Sequence, residues 1–105
     1  MFDIFGALQN MQQQMENSKK ELDTIEVNAE SGDGAVQVRM NANKKVLNIS
    51  ISPTIVNPAD VEELEDLLLV ALNRAADKAE AKATENMQKV AGDMMPPGFN
   101  IPGLF

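Results

Sequence analysis

Residues 25–52, IEVNAESGDGAVQVRMNANKKVLNISIS, decide the fold, because three successive runs place apolar side chains at every second position. In the first run Ile25, Val27 and Ala29 alternate with Glu26, Asn28 and Glu30. Beyond Gly32-Asp33-Gly34 the pattern resumes, with Val36, Val38, Met40 and Ala42 set against Gln37, Arg39 and Asn41. Beyond Asn43-Lys44-Lys45, Leu47, Ile49 and Ile51 alternate with Asn48, Ser50 and Ser52. A period of two with one apolar and one polar face predicts a three-stranded antiparallel meander. Glycines supply positive φ in the first turn and asparagines tolerate it in the second. Pro53 closes the last strand.

On either side of the meander the period lengthens. Ile4, Leu8, Met11, Met15, Leu22 and Ile25 recur at steps of three and four, with Ser18 in the missing position, which predicts an amphipathic helix over 3–24. Glutamines and Lys19-Lys20 fill its other sides. After the sheet, Asn57-Pro58 combines a capping side chain with a proline suited to a first helical turn, and predicts a helix over 58–91. Its stripe is Val61, Leu64, Leu68, Leu72, Ala75, Ala79, Ala83, Met87 and Val90, bulky at first and alanine-rich later. The bulky half suits the sheet, the alanine half suits another helix, and Gly92 is placed to cap the end. Such a helix is about 50 Å long, against a radius of gyration near 13 Å for a 100-residue domain. The part beyond Arg74 must then project or meet a partner, which makes a homodimer the default expectation. Residues 92–105 form an apolar tail punctuated by prolines, expected to pack on that dimer. The fold class is α+β, an α-β-β-β-α protomer forming one domain over 1–105.

With 105 residues the chain has room for one modest core. It carries 16 acidic and 9 basic residues, and five of the carboxylates cluster at Asp60, Glu62, Glu63, Glu65 and Asp66. Negative charge there suits the start of a helix, a better account of the cluster than a metal site. The chain contains no His or Cys, so the usual general base, thiol nucleophile and transition-metal ligands are missing. Nothing resembles a nucleophile elbow or a P-loop, and an enzyme is not expected. No cofactor, metal or small-molecule substrate is called for. There is neither a signal-peptide pattern nor an apolar run of membrane-spanning length, so the expected location is cytoplasmic.

Ser31-Gly32-Asp33-Gly34 before Val36-Gln37-Val38, Ile49-Ser50-Ile51-Ser52-Pro53, and Val61-Glu62-Glu63-Leu64-Glu65-Asp66-Leu67 come in a distinctive order. Ala71-Leu72-Asn73-Arg74-Ala75, Lys78-Ala79-Glu80, Met87, Gly92 and Pro96-Pro97-Gly98-Phe99 continue it. In order and spacing the whole chain resembles the YbaB/EbfC family of bacterial nucleoid-associated proteins. The resemblance implies a tweezer-shaped homodimer that binds double-stranded DNA with limited sequence preference. Two departures stand out: the first helix is rich in Gln rather than Lys, and the second hairpin has no glycine.

Taken at 100° per residue, Arg74, Lys78, Lys82 and Lys89 fall within an arc of about 80°, interrupted by Glu85. A projecting helix with its cations on one side can follow a phosphate backbone. Lys19 and Lys20 are further DNA-binding candidates, and Arg39, Lys44 and Lys45 secondary ones. The plainer alternative is that these side chains solvate an alanine-rich helix and pair with neighbouring carboxylates. On the residues alone that alternative ranks first; the family resemblance reverses the order. Without aromatic groups near the cations, stacking on single strands is not expected, and contacts should be to phosphates. The rival function is an acidic dimeric protein-interaction module or scaffold that does not bind DNA.

Overall fold

The computed structural model describes residues 4–94. Helix α1 (Ile4–Thr24) leads into strands β1 (Glu26–Ser31), β2 (Val36–Asn41) and β3 (Val46–Ile51), followed by a short 3-10 turn (Pro53–Ile55) and helix α2 (Val61–Met94). The strands form one antiparallel sheet in the order β1-β2-β3, as the alternation predicted. The expected tail over 92–105 and its packing fall almost entirely outside the described residues, as does the start of α1 at residue 3.

The first turn follows the expected chemistry: Gly32 and Gly34 have φ of 60° and 86°. Gly32 lies where an added Cβ would stand 3.2 Å from both methyl carbons of Leu67, so it also admits α2 to the sheet. In the second turn the left-handed residue is Lys44 (φ 65°), not an asparagine. The asparagines bond instead. Asn41 Oδ1 accepts from the backbone N–H groups of Asn43 and Lys45, each at 3.0 Å. Asn43 Nδ2 donates to Lys19 O at 2.9 Å and to Asp23 Oδ1 at 2.7 Å. This turn therefore clasps the C-terminal end of α1. Asn43→Ala is expected to lower stability by about 1–2 kcal/mol, read from urea denaturation, and to loosen α1 before the sheet.

The alternation in β3 breaks once. A register shift beside Arg39 and Met40 brings Val46 opposite Met40, so Leu47 is not in simple alternation with Ile49. The long helix also starts later than Asn57-Pro58 suggested. Asn57 Oδ1 accepts from Ala59 N at 3.0 Å in a turn, and Asp60 Oδ1 caps the helix by accepting from Glu63 N at 3.3 Å. At the far end α2 runs through Gly92 to Met94, so Gly92 is not its cap.

The core corrects a second expectation. Val27, Ala29, Val36, Val38 and Met40 pack against Ala71, Ala75 and Ala79, which are all 0% exposed. Leu67, Leu68 and Leu72 are only partly buried around them. The alanine row lies on the sheet, because a side chain ending at Cβ lets the helix come close to β1 and β2. Helix α2 lies over β1 and β2, leaving β3 with Ile49 43% exposed.

At 34 residues, α2 spans about 51 Å and overruns the sheet. The radius of gyration is 19.6 Å and the longest dimension 71 Å, so the distal half does project. Helix α1 runs beside that half, tied by Ser18 Oγ to Asn86 Oδ1 at 3.4 Å and by Asn86 Nδ2 to Glu21 Oε1 at 3.1 Å. None of its described residues is buried.

Candidate nucleic-acid interface

Helix α2 carries the four main candidates on one flank, but the fold gives them two different settings. Arg74 Nη1 donates to Glu30 O at 2.8 Å and Lys78 Nζ to Asn28 O at 2.7 Å. Two positions apart in an antiparallel strand, these carbonyls point the same way, outward from the free edge of β1. The two cations therefore occupy backbone acceptors that would otherwise invite another strand. This pairing was not legible in the sequence, because helical spacing alone does not say which strand edge runs beneath a flank.

The bonds to β1 do not cancel charge. A carbonyl is neutral, so Arg74 and Lys78 remain cationic while their side chains are held in place. Both are exposed, and the guanidinium has further donors for an oxyanion. Further along, Lys82 and Lys89 line a depression between α1 and α2 together with Glu21, Ile25, Glu85 and Asn86. Lys82 Nζ lies 3.6 Å from Glu85 Oε2 in an exposed i,i+3 pair, the interruption the spacing foretold. Such a pair contributes little and opens readily.

The other candidates are scattered. Arg39 Nε lies 3.3 Å from Glu26 Oε1 on the polar face of the sheet, and Lys44 Nζ lies 3.8 Å from Glu80 Oε2. Among the described residues Lys19, Lys20, Lys45 and Lys89 make no ion pair. Lys19 borders the opposite groove, beside Met15 and Met87, and so stands apart from the α2 flank. Lys78 does meet Arg39: both border a shallow polar concavity over the sheet with Asn28, Gln37, Asn48 and Ser50. Those four polar residues are not among the candidates expected from the sequence, although their alternate positions in the strands already put them on one face. Glu30 lies among them and works against an anionic ligand.

Among the described residues no group of acidic side chains is placed to hold a metal ion, and no helix is long and apolar enough to cross a membrane. Comparison with known proteins then gives the family. Residues 1–94 match the model of the YbaB/EbfC DNA-binding family. A nucleoid-associated protein of Alkaliphilus metalliredigens is 41% identical over 105 residues, covering 100% of this chain and 88% of the relative. A nucleoid-associated protein of Chloroflexus aurantiacus is 46% identical over 91 residues, 87% of this chain and 91% of its own. The solved structure of HP0035, an uncharacterized Helicobacter pylori protein, superposes with a TM-score of 0.62 over 85% of this chain and 99% of its own, at 22% identity, and shares the fold. With a helix-meander-helix protomer, a projecting cationic flank and a family match across nearly its whole length, the chain belongs to the YbaB/EbfC DNA-binding family, a DNA-binding rather than an enzyme family.

Proposed function

We propose that the protein binds double-stranded DNA as a homodimer on the nucleoid, chiefly through phosphates and with limited sequence preference. The observation that carries this reading is the α2 flank, where Arg74 and Lys78 are held by uncharged carbonyls and Lys89 has no carboxylate partner among the described residues. A rigid helix with unneutralised cations at intervals of about one turn suits a row of phosphates. Lys82 joins the row when its exposed pair with Glu85 opens. Lys19 and Lys20 are secondary anchors, with Arg39, Lys44 and Lys45 behind them.

Two copies explain the uncovered surface. Ile49, Leu47 and Val46 on β3 are substantially exposed, as are Leu69 and Val70 on α2. A second copy laid over β3 would bury the β3 side chains and set the two projecting arms as a pair. Removing apolar area of this kind from water favours association, and only the surplus over the cost of ordering the two copies appears as affinity.

The charge test is best made away from the sheet edge. Reversing Arg74 or Lys78 would bring a carboxylate against the β1 carbonyls and disturb the fold together with the ligand. Lys82→Gln/Lys89→Gln avoids that. Duplex binding by mobility shift from 50 to 200 mM salt is expected to weaken, with the log–log salt slope reduced by about 0.9 for each phosphate no longer neutralised. An unchanged slope would move the interface off this flank. No wild-type shift even at 50 mM salt would favour the acidic interaction module.

A further inference from the structure

We infer that the outward polar face of the sheet extends the duplex interface and takes base edges in the major groove, an inference that rests on the duplex binding proposed above. Each strand turns alternate side chains to this face, and the register sets them in cross-strand rows. Asn28 stands beside Arg39 and Arg39 beside Asn48, while Glu30 stands beside Gln37 and Gln37 beside Ser50. All six are exposed, and Lys78 joins them from the β1 edge of the concavity they border.

Charge separates this face from the α2 flank. Arg39 Nε lies 3.3 Å from Glu26 Oε1, and Glu30 stands on the same face as Lys78, so two cations are offset by two carboxylates. A surface balanced in this way does not gather phosphates. Its remaining groups are amides and a hydroxyl, which both donate and accept. Among the described residues the side chains of Asn28, Asn48 and Ser50 make no hydrogen bond with the protein. Base edges offer the matching mixture of donors and acceptors.

Dimensions choose the groove. Neighbouring strands lie about 4.8 Å apart, so the outer axes of three strands stand about 10 Å apart. That span suits a major groove about 12 Å wide and is too broad for a minor groove of about 6 Å. Arg74 and Lys78, held at the β1 border of the sheet, then stand where phosphates wall the groove. Purine N7 is an acceptor in adenine and guanine alike, so an amide donor engages the groove with little choice of sequence.

Replacing purine N7 with carbon removes that acceptor and leaves the phosphates unchanged. The full-length protein is expected to bind such a deazapurine duplex about tenfold more weakly than the natural one, read by fluorescence anisotropy. Asn28→Ala/Asn48→Ala is expected to weaken binding to the natural duplex by about tenfold across 50 to 200 mM salt, with the log–log slope unchanged, because neutral side chains release no counterions. The variant should also lose much of the discrimination between the two duplexes. Equal wild-type affinities for both duplexes, or a variant that binds like the wild type, would overturn the inference and leave phosphate binding in place. A slope that falls together with the affinity would overturn it as well. Binding of neither duplex by the wild type would remove the inference along with the reading on which it rests.

Discussion

Ala75→Asp is expected to abolish the stable fold, whereas Ala81→Asp, six residues along the same helix, leaves it nearly intact. Ala75 is fully buried between Ala71 and Ala79 against β1 and β2. An aspartate there would be cut off from water among Val27, Val38 and their neighbours, while Arg74 and Lys78 beside it are already held by the carbonyls of Glu30 and Asn28. Leaving a buried charge unpaired costs about 3–5 kcal/mol, against a total stability of about 5–15 kcal/mol for a domain of this kind. The added volume also pushes α2 off the sheet, at a further cost of about 1–3 kcal/mol. Ala81 is exposed, so its change amounts to little more than helix propensity, within about 1 kcal/mol. Thermal and urea denaturation followed by circular dichroism separate the two. A cooperative, wild-type-like transition for Ala75→Asp would mean that the alanine row does not pack on the sheet as described.

Ile49→Glu is expected to give a folded monomer with much weaker DNA binding. The side chain is 43% exposed in the single chain, so a charge there can reach water at small cost to the protomer. In the proposed dimer the same position is covered, and two like charges would face an apolar partner surface. Sedimentation equilibrium should report a mass near the 11.4 kDa of one chain. If the paired arms of the proposed dimer engage one duplex together, separating them is expected to lower apparent affinity by about 10²-fold or more. Fluorescence anisotropy on a labelled duplex measures this. A variant that stays dimeric would place the interface away from β3. A monomer that binds as tightly as the wild type would remove the need for two arms.

These two positions also show how far a linear reading reaches. Val27, Val36 and Val38 could be assigned to the inner face from alternation alone, because a strand turns each successive side chain through a half-rotation. The same rule placed Arg39 on the solvent face, where it lies. Helical spacing put Arg74, Lys78, Lys82 and Lys89 on one flank of α2, and they do share it. Spacing could not tell that Arg74 and Lys78 reach the carbonyls of Glu30 and Asn28, since those partners are 44 and 50 residues away. Nor could it tell that Asn41 and Asn43 bond to the chain instead of adopting the left-handed conformation themselves. Each bond depends on where a distant backbone atom comes to rest.

The order and type of the elements, the inner face of the sheet and the excess length of the last helix were all legible in the order of the residues. These follow from local periodicity and from chain length, which act before any long-range packing forms. Only the packed fold shows that alanines take the fully buried positions on the sheet with leucines at their margin, that β3 stays uncovered, and that two of the cations guard the edge of β1. The reason is steric and geometric: the side of α2 that comes closest is the one with the least bulk. Once Ala71, Ala75 and Ala79 are seated over β1 and β2, the positions of β3 and of the cationic flank follow.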